Sequence, residues 1–145
     1  MAKSSFQEWH STRLKIGFYE TKGIQFIEEM VLPDRRRVDL CTRSRKYGIE
    51  IKSGVGDLKS GNGLNVNDFE YAYVVIPEKC VNHAIGYLYT TNRFQAGVIG
   101  IDEDNHYYLA KCAQANLDSG VGDIFDSLCS ASDEIAHLFY EYGKA

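Results

Sequence analysis

Tyr71-Ala72-Tyr73-Val74-Val75-Ile76, an unbroken apolar and aromatic run ended by Pro77, constrains the fold more than any other stretch of this chain. A strand with one face in water alternates apolar and polar residues, whereas a continuous apolar run belongs to a strand covered on both faces. The rest of the chain must then supply cover for two sides of a sheet. Residues 5–20 suit an amphipathic helix, with Phe6, Trp9, Leu14 and Ile16 loosely on one side and Ser4 or Ser5 as cap. Gly23 breaks that pattern, 24–32 reads as a strand, and Pro33-Asp34 supplies a turn. Residues 37–42 and 47–52 form two more short strands, with Ser44-Arg45-Lys46 short enough for a hairpin. A glycine-rich stretch from Ser53 to Gly63 allows one or two helical turns at most. After the 71–76 strand, a helix is expected near 78–88, then two short strands at 97–101 and 107–112 around Asp102-Glu103-Asp104-Asn105. Ile124, Leu128, Ile135, Leu138 and Phe139 space one or two acidic helices across about 121–142. The order describes a mixed α/β layer structure, a single domain over 1–145 with a core at about 5–115 and a helical extension beyond.

At 145 residues the chain is long enough to build its own core without disulfides. No apolar run is long enough to span a membrane, and polar Gln7-Glu8 follows too soon for a signal-peptide core, so the cytoplasm is the expected compartment. Cys41, Cys80, Cys112 and Cys129 are widely separated, with no C-x-x-C, and read as buried or half-buried thiols. His10, His83, His106 and His137 are equally scattered, so any metal is expected to be held by oxygen.

The net charge of -4 argues against a polyanionic partner only on average. From Arg35 to Lys59 there are eight basic residues (Arg35, Arg36, Arg37, Arg43, Arg45, Lys46, Lys52, Lys59) against three acidic ones, Asp39, Glu50 and Asp57. Charge segregated in this way acts locally, because salt limits its reach to roughly 8 Å.

Inside the basic window lies the arrangement that carries chemistry. On a strand, side chains alternate, so Glu50 and Lys52 share one face while Ile49 and Ile51 share the other. Asp39 sits likewise between Val38 and Leu40, and a hairpin could bring it beside Glu50. Two carboxylates at close range repel unless a divalent cation lies between them. Mg²⁺ wants such oxygen ligands and keeps several waters. As a bare pattern Glu-x-Lys is common, and its plain reading is an exposed edge-strand pair worth under about 1 kcal/mol.

Val38-Asp39, ten intervening residues, then Glu50-Ile51-Lys52 resemble the motif of PD-(D/E)xK nucleases, the restriction-endonuclease-like superfamily. Val38 stands where the motif's proline often sits. The segment from Glu29 to Leu40 is similar to the start of MmcB-like DNA repair proteins, in which an acidic residue, an extended segment and a basic pair precede the catalytic aspartate. Asp68 to Pro77 looks like their following core strand, and Gly97-Val98-Ile99-Gly100-Ile101-Asp102 resembles a later strand of many such nucleases. The likeness spans roughly residues 5–115 and is strongest at 29–77. It implies a helix, a three-stranded meander, a helix and a strand, with Mg²⁺ or Mn²⁺ held by Asp39, Glu50 and the Ile51 carbonyl. Lys52 would assist the attacking water. Many members add a glutamate from the first helix; Glu8 and Glu20 are the candidates here, with Glu20 preferred as nearer the first strand.

The glycines at 54, 56, 61 and 63 fail both phosphate-loop patterns, with Asn62 where one needs lysine and Lys59 where the other needs glycine. Tyr71, Tyr73, Phe94, Tyr107 and Tyr108 read as core packing rather than as stacking platforms for bases. Arg93 reads as a solvated turn residue, and no serine has a nucleophile-elbow context. The expected function is a metal-dependent phosphodiesterase acting on DNA (or RNA) in repair, recombination or mobile-element biology, directed by structure or ends. Arg35, Arg36, Arg37, Arg43, Lys46 and Lys59 would grip phosphates. The alternatives are a nuclease-like fold kept as a nucleic-acid or protein-binding module, and an adaptor whose acidic C-terminal helices form a homodimer contact.

Overall fold

The structure is a computed structural model and describes residues 5–32, 37–60 and 68–114. The expected Pro33-Asp34 turn, Arg35, Arg36, Gly61, Gly63 and the C-terminal helices lie outside the described residues. The elements are α1 (Ser5–Lys22), β1 (Phe26–Val31), β2 (Arg37–Thr42), β3 (Tyr47–Ile51), α2 (Val55–Ser60), β4 (Tyr71–Pro77), a 3-10 turn (Glu78–Cys80), α3 (Val81–Thr90), β5 (Gly97–Ile101) and β6 (Tyr107–Lys111). The protein is α/β, built on one mixed six-stranded sheet in the order β1-β2-β3-β4-β5-β6. β1, β2 and β3 form an antiparallel meander, β3, β4 and β5 run parallel, and β6 returns antiparallel.

The 71–76 run explains this layering. Residues 71–76 of β4 are buried, every one. Tyr71, Tyr73 and Val75 pack with Leu14 and Phe18 of α1, while Ala72, Val74 and Ile76 pack with Leu58 of α2 and Val81, Ala84 and Leu88 of α3. Two successive crossovers moving the same way across a sheet place their helices on one face if each has the usual right hand. The clusters agree: α2 and α3 share one side, and α1 covers the other.

Two expectations are corrected. Trp9 and Ile16 were expected inside, but both are about half exposed, at 51% and 50%; α1 buries His10, Ser11, Leu14 and Phe18 instead. The buried set follows the four-residue helical spacing that the expected set does not, and Phe18 meets Phe26 of β1 at 4.9 Å between ring centroids. Gly23, at a φ of +67°, then ends α1 as a left-handed cap, with its N–H on the Tyr19 carbonyl and that of Ile24 on Phe18.

Simple alternation also puts Val38 and Leu40 on one face, yet they join opposite clusters, Val38 on the α2/α3 side and Leu40 on the α1 side. Glu29 of β1 has a φ of +52° and falls between the paired positions Glu28↔Leu40 and Met30↔Val38. The backbone irregularity thus lies across from Asp39, and the twist it adds turns the two flanking residues apart. Among the described residues no helix is long and apolar enough to cross a membrane.

Candidate active site

β2 and β3 are paired at Cys41↔Gly48 and Leu40↔Ile49. One step further along this register Asp39 stands across from Glu50, and one step beyond that Val38 would stand across from Ile51. A continuing ladder would have Val38 and Ile51 exchange two backbone hydrogen bonds. Side chains supply these bonds instead. Asp39 Oδ2 accepts from the Ile51 N–H at 2.7 Å. The Ile51 carbonyl accepts from Nε2 of Gln7, on the first turns of α1, at 3.0 Å. On its other side the strand continues normally, the Lys52 N–H donating to the Val75 carbonyl of β4 at 2.8 Å.

The site therefore forms where β2 leaves β3 and a carboxylate bridges the parting. Ile49 and Ile51 face the α1 core, as alternation requires, which turns Glu50 to the opposite side. Asp39 and Glu50 are both half-buried, and Lys52 is buried, with only 8% of its surface exposed. A buried ammonium is uncommon and signals a demand other than packing.

Other expected residues are placed differently. Glu20 lies thirteen residues beyond Gln7 on α1, about 20 Å along the helix. The N-terminal end of α1, not its C-terminal end, meets Ile51, so Glu20 is not brought to Asp39 and Glu50. Nearness to β1 in sequence misled, because the helix runs back across the sheet. Glu8 is exposed, and the helix residue that does reach the E-x-K segment is Gln7. Arg37 is exposed two residues before Asp39, and Lys59 is exposed on α2. Arg43 and Lys46 sit in the β2–β3 turn, at the other end of the hairpin, with Asp39 three strand residues back from Thr42, about 10 Å. The Lys46 ammonium lies over the Tyr47 ring, 5.5 Å from its centroid.

α1 is fastened near this end by a polar cluster that hydrophobic patterning does not reveal. His10 is buried, with its Nδ1 2.5 Å from the Tyr107 hydroxyl of β6. Burial, helped by the charge of Arg13, holds the His10 imidazole down at about 4, and burial pushes the Tyr107 phenol up to about 12, so both are neutral near pH 7. The Arg13 guanidinium stacks on Trp9 and Tyr107, 5.2 and 5.0 Å from their ring centroids, and donates to the Asn105 carbonyl.

One further expectation meets a correction. Cys41 and Cys80 are free and buried, but Cys112 is disulfide-bonded, its partner lying outside the described residues. Separation along a chain does not measure approach in space. The only group of metal-ligand side chains of three or more among the described residues includes a histidine: donor atoms of Asp102, Asp104 and His106 lie within 4.8 Å of one another. These shape the β5–β6 turn, where Asp102 Oδ1 accepts from the N–H groups of Asp104 at 2.9 Å and His106 at 2.8 Å. Tyr71 and Tyr73 are core residues as expected, whereas Phe94 is 36% exposed.

No protein-family model, no curated protein and no solved structure matches this chain.

Proposed function

We propose that the chain is a divalent-metal-dependent nuclease on a restriction-endonuclease-like fold, hydrolysing phosphodiester bonds in DNA. The observation that carries this reading is the reach of the Asp39 carboxylate across the β2–β3 gap to the Ile51 N–H, which ties it to the Glu50-x-Lys52 segment. The helix, antiparallel meander, helix and parallel strand that precede α3 follow the order this fold requires.

The donor set suits the metal. Asp39, Glu50 and the Ile51 carbonyl offer only hard oxygens, which match Mg²⁺ or Mn²⁺ and not a thiolate-seeking ion. A cation held there would polarise the scissile phosphate and acidify the attacking water. Lys52 contributes a positive charge in a largely water-excluded place, where it counts for more than on the surface. It orients the water and offsets the charge that grows on the phosphoryl oxygens. Arg37 and Lys59 offer exposed cations for the backbone of the bound strand, and Arg43 and Lys46 offer a second phosphate contact at the far end of the hairpin. Nothing in this set reads base edges, so recognition by structure or by ends is favoured over a sequence code.

The test is cleavage of labelled single-stranded, duplex and branched DNA with Mg²⁺ or Mn²⁺, for wild type and Lys52→Ala. Cleavage by wild type alone is the expected result. Equal products from both proteins exclude this active site, and binding without cleavage by wild type leaves a nuclease-like binding module.

A further inference from the structure

We propose that Gln7 is a displaceable cap on the Ile51 carbonyl, a positioning residue that holds this oxygen in the metal-free protein and yields it to the incoming cation. The inference rests on the nuclease reading and concerns how tightly that site takes its metal.

The argument starts from the backbone. Where β2 parts from β3, Ile51 loses the partner strand that would have satisfied both its N–H and its carbonyl. Leaving two such groups unpaired beside a core strand is unfavourable, so the chain must provide substitutes. If satisfying them were the only demand, continuing the ladder by two residues, to Val38 and Ile51, would meet it with backbone groups already in place. The two substitutes are instead of opposite kinds. Asp39 brings a carboxylate to the N–H at 2.7 Å. Gln7 brings a neutral amide donor to the carbonyl at 3.0 Å, from a different layer of the protein.

Only the nitrogen end of the amide can bond to a carbonyl oxygen, so the orientation of the Gln7 side chain is settled. Its N–H₂ presents the positive end of a dipole to the oxygen that would ligate the cation. A dication on the same oxygen and that dipole oppose each other, so the two compete. A backbone donor fixed in a ladder could not withdraw, but an amide at the end of a three-torsion side chain can. Once turned, it offers Oε1 to the water shell that Mg²⁺ retains. Gln7 thus lowers cation affinity by stabilising the metal-free state, unlike an outer partner that raises affinity by orienting a ligand.

The direction of the effect separates the possibilities. Mn²⁺ affinity is measured by titration calorimetry and by the Mn²⁺-induced rise in melting temperature, on the full chain, for wild type, Gln7→Met, Gln7→Glu and Asp39→Asn. Gln7→Met keeps the side-chain length and removes the donor. It is expected to bind Mn²⁺ about two- to tenfold more tightly than wild type while melting at a lower temperature without metal. Gln7→Glu, which sets a carboxylate against the carbonyl until a cation arrives, is expected to bind more tightly still. Unchanged or weaker Mn²⁺ binding in both Gln7 variants, with binding abolished in Asp39→Asn, overturns the cap and leaves the nuclease reading standing. Mn²⁺ uptake that is absent in wild type, or identical in wild type and Asp39→Asn, overturns both.

Discussion

The Nδ1 of His10 and the hydroxyl of Tyr107 stand 2.5 Å apart, joining α1 to β6 across the α1-side core. The buried imidazole resists protonation until about pH 4, against 6.5 in an unfolded chain. Between those values the unfolded chain binds a proton that the folded chain refuses, so unfolding takes up protons and stability falls as pH drops through this window. Urea midpoints measured from pH 7 to pH 4 should decline more steeply in wild type than in His10→Gln. Parallel curves for the two proteins would remove His10 as the cause.

Asp39 should carry both a structural and a chemical part. Asp39→Ala leaves the Ile51 N–H without its acceptor and should cost about 1–3 kcal/mol in urea unfolding. Asp39→Asn keeps an oxygen for that N–H and should stay within about 1 kcal/mol of wild type while losing metal-dependent cleavage. An Asn variant as unstable as the Ala variant would mean that the charge, not the hydrogen bond, holds the strands here.

Lys52 is expected to trade stability for activity. Replacing a buried ammonium by an apolar chain of similar length is often neutral or stabilising. Lys52→Met should therefore unfold at an equal or higher urea concentration than wild type, with cleavage reduced by about 10²–10³-fold. A Met variant that cuts DNA at the wild-type rate places the chemistry elsewhere.

Burial pushes the Cys41 thiol up to about 11, and the nearby charge of Arg45 only partly opposes this. At pH 8 about one molecule in a thousand then carries the reactive thiolate. Iodoacetamide labelling followed by mass spectrometry should leave Cys41 unmodified in the folded protein and modify it readily in urea. Fast modification without denaturant would contradict the packing of β2.

Gly97 faces Tyr73 across the β4–β5 ladder, and a Cβ at position 97 would lie 2.5 Å from the Tyr73 ring and 2.8 Å from the Ala113 nitrogen. The ring could shift, but the backbone atom cannot do so cheaply. Gly97→Ala should destabilise by about 1–3 kcal/mol, as overpacked cores do, and a wild-type melting temperature would show that β5 has room to move.

The strands were the most legible part of this chain, because period-two patterns and the 71–76 run record burial on one face or two. Residues 37–42, 97–101 and the start of β3 fall where side-chain alternation and turn residues put them. α1 was legible as a helix but not as a face. Hydrophobic pattern cannot anticipate that His10 and Ser11 are buried while Trp9 and Ile16 are not, since His10 is accommodated by Tyr107, a hydrogen-bond partner 97 residues away. At the candidate site, Asp39, Glu50 and Lys52 stood out as charges inside apolar strands. Gln7 gave no signal: a glutamine on a helix surface is ordinary, and its role comes from the parting of β2 from β3, which no propensity predicts.

The sheet's strand order is the order of the chain itself. Among the described residues no strand has to be threaded between two already in place, so a polypeptide leaving the ribosome can lay each ribbon against the one before it. On such a path the hairpin bearing Asp39 and Glu50 is complete before β4 is synthesised, and the later strands serve to lock it.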